Sequence, residues 1–278
     1  MQPFRDVPDV SAAPEGLLSG HLWLYEAVVG APFRFQLQPS GRLRVGDADR
    51  EYDPEDVPPQ YRHVVRHVRE TCDWAALRSA VDDVSSVVFF GHAMQHRGLD
   101  YDWARTPAFL GSDVWNGATG DFLAVDAVEH VFERLGLDSL NTVAKEVRAA
   151  DFDPAGYEFP ASAWYDGPVA GVVLRNKRGG CARLDNPAVT ASSETARDAP
   201  AADRTADGLA ADLVTSARVQ QVVSRLEARD YPVTFDAVYD RLLETLFREY
   251  PPDTFAGDDI DGRAFRSAVA ERVRGVLG

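Results

Sequence analysis

The apolar residues of this 278-residue chain keep two different periods, and the change between them constrains the fold more than any other feature. Through the first two-thirds they alternate with polar residues or gather in short runs bounded by turn residues, the habit of β-strands. Beyond residue 210 they recur at three and four, the habit of amphipathic helices. Between the two lie residues 188–210, rich in Ala, Ser, Thr and Asp and without apolar periodicity, which predict a linker or mobile loop. The expectation is an α+β domain over residues 1–187, built on antiparallel sheets, and a small helical domain over 211–278.

Residues 1–20, rich in Pro and Ala, read as an extended lead-in. Leu22 to Val28 reads as a buried strand, and Phe33, Phe35 and Leu37 alternate with Arg34 and Gln36 as in a half-buried one. A Pro-Ser-Gly turn at 39–41 leads into a third strand, Arg42 to Val45. Residues 59–81 read as one helix with Tyr61, Val64, Val65 and Val68 on a face. Val84 to Phe90 and Phe109 to Trp115 read as strands, Asp126 to Leu135 as a helix ended by Gly136, and Lys145 falls in a helix-like stretch. Val169 to Arg175 and Cys181 to Leu184 form a hairpin across Lys177-Arg178-Gly179-Gly180. In the last third, Val219, Val222, Val223 and Leu226, then Phe235 to Leu246, then Gly262 to Leu277, each read as helix.

With 45% hydrophobic residues the chain can bury a sizeable core. It has no apolar run long enough to span a membrane and no leader pattern at Met1-Gln2-Pro3-Phe4-Arg5. Cys72 and Cys181 make no disulfide framework, so a cytoplasmic location is expected. The formal net charge is −15, and Lys145 and Lys177 are the only lysines among 29 basic residues. An acidic, arginine-biased surface suits a protein kept hydrated in very high salt, where like charges are screened. The sequence has no basic run longer than a few residues, but counterion release contributes little to nucleic-acid binding in molar salt, so RNA is not excluded.

Five segments carry a more specific signal: Leu24-Tyr-Glu-Ala-Val-Val-Gly-Ala-Pro-Phe-Arg-Phe35, Val88-Phe-Phe-Gly-His-Ala-Met-Gln95, Phe109-Leu-Gly-Ser-Asp-Val-Trp115, Gly167 to Lys177, and Cys181-Ala-Arg-Leu184. In this order and spacing they resemble the nucleotidyltransferase motifs of ATP-dependent RNA ligases, over roughly residues 10–187. The resemblance implies a chemistry in which a lysine attacks the α-phosphate of ATP and the AMP passes to an RNA 5′-phosphate. It implies further that carboxylates hold the ribose and a divalent metal, while basic residues neutralise phosphate.

Position by position, the reactive groups are missing. The nucleophile position holds Ala27, preceded by the expected Glu26, and Val29 stands where a carboxylate or histidine belongs. Gly30 fits, as backbone that must approach a nucleotide closely. His92 replaces a glutamate, Ser112 replaces the aromatic that stacks on adenine beside a retained Asp113, and Ala170 replaces another glutamate. The paired lysines of the last motif are Cys181 and Arg183. Losing a covalent nucleophile costs roughly 10⁶ in rate in a well-studied hydrolase.

The resemblance therefore implies an RNA-ligase-like protein, catalytically inactive, that binds a nucleotide, an RNA end or an active ligase homologue. Its pocket would comprise Glu26, Val29, Gly30, Arg44, His92, Ser112, Asp113, Ala170, Lys177 and Arg183, without metal. The alternative is an active ligase using ATP and Mg²⁺ through a surrogate nucleophile such as Lys145 or Lys177. Arg34, Arg42, Arg44 and Arg50 stand either as phosphate contacts or as surface charges paired with Asp47, Asp49 and Glu51. His63, His67, His92, His96 and Cys72 have spacings that zinc could use, but half-buried histidines explain them more simply.

Overall fold

The structure, a computed structural model, describes residues 1–189, 205–255 and 261–278. Residues 190–204, most of the expected linker, lie outside this range. The chain divides into two compact units, Met1–Met94 with Gly98–Arg197, and Gln95–Arg97 with Asp198–Gly278.

The first unit contains two antiparallel sheets. Six strands, β2 (Ala31–Leu37), β3 (Leu43–Gly46), β4 (Glu51–Tyr52), β5 (Val87–Ala93), β6 (Phe109–Asn116) and β7 (Asp121–Phe122), pair in the order β4-β3-β2-β5-β6-β7. Four more, β1 (His21–Glu26), β8 (Thr142–Arg148), β9 (Gly171–Asn176) and β10 (Cys181–Asp185), pair in the order β10-β9-β1-β8. Helices α1 (Pro59–Thr71), α2 (Trp74–Ala80) and α3 (Val125–Arg134) cover one face of the larger sheet. Their apolar stripes meet Phe33, Phe35, Phe89 and Phe109, with Phe35 and Phe89 stacked at 4.8 Å. On the smaller sheet, Leu22, Leu24, Val172, Leu174 and Ala182 form a second core with Leu17 and Val169. A third, holding Trp23 and Tyr25 of β1 with Leu110 of β6, joins the two sheets.

The second unit is helical: α4 (Ala206–Leu213), α5 (Ser216–Glu227), α6 (Phe235–Glu249) and α7 (Gly262–Leu277) bury Leu209, Val219, Val222, Leu242, Leu246 and Val269 among their facing sides. Each starts on a residue whose side chain accepts a hydrogen bond from a first-turn amide: Thr205, Thr215, Thr234 and Asp261. Among the described residues no helix is long and apolar enough to cross a membrane.

The α+β architecture agrees with the expectation, with four differences of detail. The helix expected over 59–81 is broken at Cys72-Asp73, because the Asp73 carboxylate accepts from the amides of Ala75 and Ala76 and starts α2 afresh. Val84–Ser86 is a 3-10 turn, so the strand after it starts at Val87 and runs on to Ala93. Lys145 lies on a strand, β8, rather than on a helix, since β1 needs a second neighbour for its backbone groups. Finally, Ala206–Leu213 is helical, so the last five residues of the expected linker belong to the helical unit.

Candidate functional site

The first motif falls on the loop between β1 and β2, which the backbone holds at several points. The Glu26 amide donates to the Asn141 carbonyl at 2.8 Å, the Ala27 amide to the Gly171 carbonyl at 3.0 Å, and the Val29 amide to the Tyr101 hydroxyl oxygen at 2.8 Å. Ala27 is buried, at 2% exposure. Glu26 is buried too, and its carboxylate accepts from Asn141 Nδ2 at 3.0 Å, the Ala163 amide at 3.1 Å and the Ser162 hydroxyl. That carboxylate ties residues 141 and 162–163 to the loop, and these three bonds occupy most of its accepting capacity.

Gly30 is a tight position for a reason other than nucleotide approach. A Cβ there would lie 2.9 Å from the Ala93 carbonyl oxygen and 3.1 Å from the His92 Cβ, so glycine lets the loop press on β5. His92, paired with Pro32 across β2 and β5, adjoins this contact. Burial first and the Arg183 guanidinium second bring its imidazole pKa down to about 4, against a hydrogen bond with the Gly30 backbone that raises it. It is a neutral ring, and among the described residues its Nδ1 has no hydrogen-bond partner.

Ala170, also buried, accepts on its carbonyl from the Asn186 amide at 2.9 Å. Arg183, half-buried on β10, pairs with Asp185, and its amide donates to the Pro8 carbonyl at 2.8 Å. Glu26, Ala27, Val29, Gly30, His92, Ala170 and Arg183 therefore gather around the β1–β2 loop. Tyr101 closes the group, its hydroxyl pKa raised by burial and its ring edge-on to Tyr165.

Ser112 and Asp113 belong to a different constellation. A register shift in the β5–β6 pairing accompanies Ser112, whose carbonyl accepts from Arg175 Nη1 at 2.7 Å. The other terminal nitrogen of Arg175 binds the Asp113 carboxylate, and Arg5 Nη2 approaches the same oxygen at 3.3 Å. Arg175 and Asp113 are both buried, so an ion pair spans the two sheets. Arg5 and Arg175 were not expected as site residues: their pairing with Asp113 joins remote parts of the chain and leaves no local pattern. Only the inclusion of Arg175 in the fourth motif segment pointed toward it.

Two more expected residues stand apart. Lys177, in the β9–β10 turn, lies 3.4 Å from Glu146 and 3.9 Å from Asp126, with its ammonium 4.9 Å from the Trp23 ring centre. Arg44, exposed on β3, pairs with Glu51 and donates to Gln36 Oε1 at 3.3 Å. Arg50 lies over Tyr52, and Arg34 donates to the Gln2 carbonyl at 2.7 Å. His63 and Cys72 are buried in the helix-covered core, burial pushing the Cys72 thiol up to about 12. Among the described residues, no group of three or more His, Cys, Asp or Glu is placed to hold a metal ion. The donor set around the loop does not fit a metal–ATP complex either: Ala27, Val29 and Ala170 carry no donor, the Glu26 carboxylate is bound by Asn141, Ser162 and Ala163, and His92 brings a single nitrogen where Mg²⁺ wants oxygens.

No family model matches the sequence, and no curated protein does. Solved structures similar to this one include an RNA ligase of Naegleria gruberi with ATP and manganese, at a TM-score of 0.55 and 10% identity over 72% of this chain. The same ligase with AMP and manganese gives 0.52 and 11%, and with pyrophosphate 0.53 and 9%, each over 72% of this chain. The chain spans 58–59% of the length of those ligases. The likeness shows a shared fold, that of an RNA ligase nucleotidyltransferase.

Proposed function

We propose that this chain is a non-catalytic RNA-ligase-like protein that retains the fold to bind a nucleotide or an RNA end, alone or beside an active ligase. The observation that carries this reading is Ala27. It is buried at the nucleophile position of a loop whose other reactive positions are Val29, the neutral His92 and Ala170. Neither lysine is among the groups gathered at the β1–β2 loop: Lys145 on β8 pairs with Glu129, and Lys177 sits between Glu146 and Asp126. The remaining basic group at the loop, Arg183, suits the holding of a phosphate rather than its transfer. The formal charge of −15 and the scarcity of lysine support a salt-rich cytoplasm as its setting.

The test is incubation with α-labelled ATP and Mg²⁺ or Mn²⁺ in molar KCl, followed by denaturing electrophoresis beside a lysine-bearing RNA ligase. The expected result is label on the control alone. Label retained by this chain and mapped to Lys145 or Lys177 would establish an active ligase with a surrogate nucleophile instead. A pull-down in the same salt, with 5′-phosphorylated RNA as bait, reads the binding half of the proposal, and capture of neither RNA nor a ligase homologue counts against it.

A further inference from the structure

The hollow between the β2–β3 turn and the last turns of α1 and α2 has no role in the reading above. It encloses about 330 Å³ and is floored by Leu37, Leu43, Pro54 and Trp74, with Arg42, Arg69 and Arg78 around it. We propose that it binds a phosphate-bearing organic anion of mononucleotide size, and this rests on none of the groups at the β1–β2 loop.

Charge is the first argument. The chain carries 44 acidic residues against 29 basic ones, and several arginines elsewhere in the first unit lie against carboxylates: Arg44 against Glu51, Arg105 against Asp166, Arg183 against Asp185. Here three guanidinium groups face one hollow whose lining, among the described residues, includes no carboxylate. Among the described residues none of the three makes an ion pair. Arg78 Nη1 makes one long bond to the Trp74 carbonyl, at 3.4 Å. The nearby Asp73 is turned into its own helix, where it caps α2. Helix dipoles account for a basic residue in the last turn of α1 and of α2, but not for Arg42, which comes from a hairpin turn. Convergence of like charges from three separate elements is unfavourable until an anion joins them.

Shape is the second. The turn that delivers Arg42 depends on Gly41 at φ +80°, and a Cβ there would come 4.0 Å from Arg78 Nη2, so the third guanidinium reaches across to the turn. The indole N–H of Trp74 donates to the Arg69 carbonyl at 3.3 Å, and its ring packs edge-on against Phe35. Leu37 and Leu43 are buried beneath. The hollow is therefore preformed, with an apolar floor for a flat body and planar donors that match the oxygens of a phosphate. The same chemistry is offered by a free mononucleotide and by one nucleotide within an RNA strand.

Calorimetric titration of the full chain with AMP, with adenosine, and with a short 5′-phosphorylated single-stranded RNA tests the assignment. The variants are Arg42→Gln/Arg69→Gln/Arg78→Gln, with folding checked by circular dichroism, and Arg183→Gln at the β1–β2 loop. We expect AMP to bind roughly tenfold or more tighter than adenosine at a site that the triple variant removes and Arg183→Gln leaves, any second site at the β1–β2 loop being removed by Arg183→Gln alone. RNA binding far tighter than AMP, and lost in the triple variant, identifies a strand as the ligand. AMP binding with no gain from the strand identifies the free nucleotide. Equal affinity for AMP and adenosine, an unchanged triple variant, or no heat with any probe overturns the proposal. AMP binding lost only in Arg183→Gln also overturns it, while leaving the reading of the β1–β2 loop intact.

Discussion

His92 shows how far a side chain in the proposed site can be turned to packing. Its imidazole pKa falls to about 4 in the folded chain and stands near 6.5 in the unfolded one. Between these values the unfolded state binds the extra proton, so stability is lost as pH falls from about 6.5 toward 4. Denaturant titrations at pH 7.5 and pH 5 should show a loss of up to about 2 kcal/mol that His92→Asn largely removes. An equal loss in wild type and variant would mean that other groups carry it. Ala27 belongs to the same scale. Restoring lysine by Ala27→Lys places an ammonium in a site that is 2% exposed, where Glu26 already has three donors. The variant should lose about 2 kcal/mol or more in a urea melt and take up no label from ATP. A stable, labelled variant would mean that the loop still contains a working nucleotide site.

Among the elements, β6 carries a tight steric demand against a helix. A Cβ on Gly111 would lie 2.4 Å from the Phe132 ring of α3, so Gly111→Ala should cost about 1–3 kcal/mol by forcing helix and sheet apart. Two residues along, Asp113 is buried against Arg175 of the other sheet. Arg175→Met alone strands the carboxylate with Arg5 and should cost about 3 kcal/mol, while Arg175→Met/Asp113→Leu should recover most of that loss. Thermal melts of the two variants would decide it, and a double variant no better than the single would mean that the pair is worth more than its desolvation. At this scale the sequence was legible wherever one period ruled. Phe33, Phe35 and Leu37 announced β2, and Val64, Val65 and Val68 announced α1. It was illegible at β8, where Thr142–Arg148 is half-buried without alternation and Glu146 takes φ +58°, and at the Asp73 cap, which splits one apolar stripe between two helices. The reactive positions could be matched singly, yet their division between a β1–β2 loop group and an Arg175–Asp113–Arg5 group rests on pairings 62 and 108 residues apart, which no local pattern records.

For the whole molecule the governing quantity is charge. At a formal −15, repulsion among carboxylates works against the folded state in dilute salt and fades as the screening length falls to about 3 Å in 1 M salt. The melting temperature should therefore rise by roughly 5 °C or more between 0.1 M and 2 M KCl. A flat or falling curve from differential scanning calorimetry would remove the support that composition lends to a salt-rich setting.

The lead-in adds a consequence in time. Its residues touch parts of the first unit made at very different moments of synthesis: Gln2 meets Arg34, Phe4 meets Phe90, Arg5 meets Asp113, and Pro8 meets Arg183. Strand β1 likewise waits for β8 and β9, whereas β2 to β7 pair within residues 31–122. As the ribosome extrudes the chain, the six-stranded sheet and its helices can close while β1 still lacks β8 and β9 and Pro8 still lacks Arg183. The stretch from Pro8 through β1 is therefore fixed late although it is made early, β1 by β8 and then β9, and Pro8 by β10.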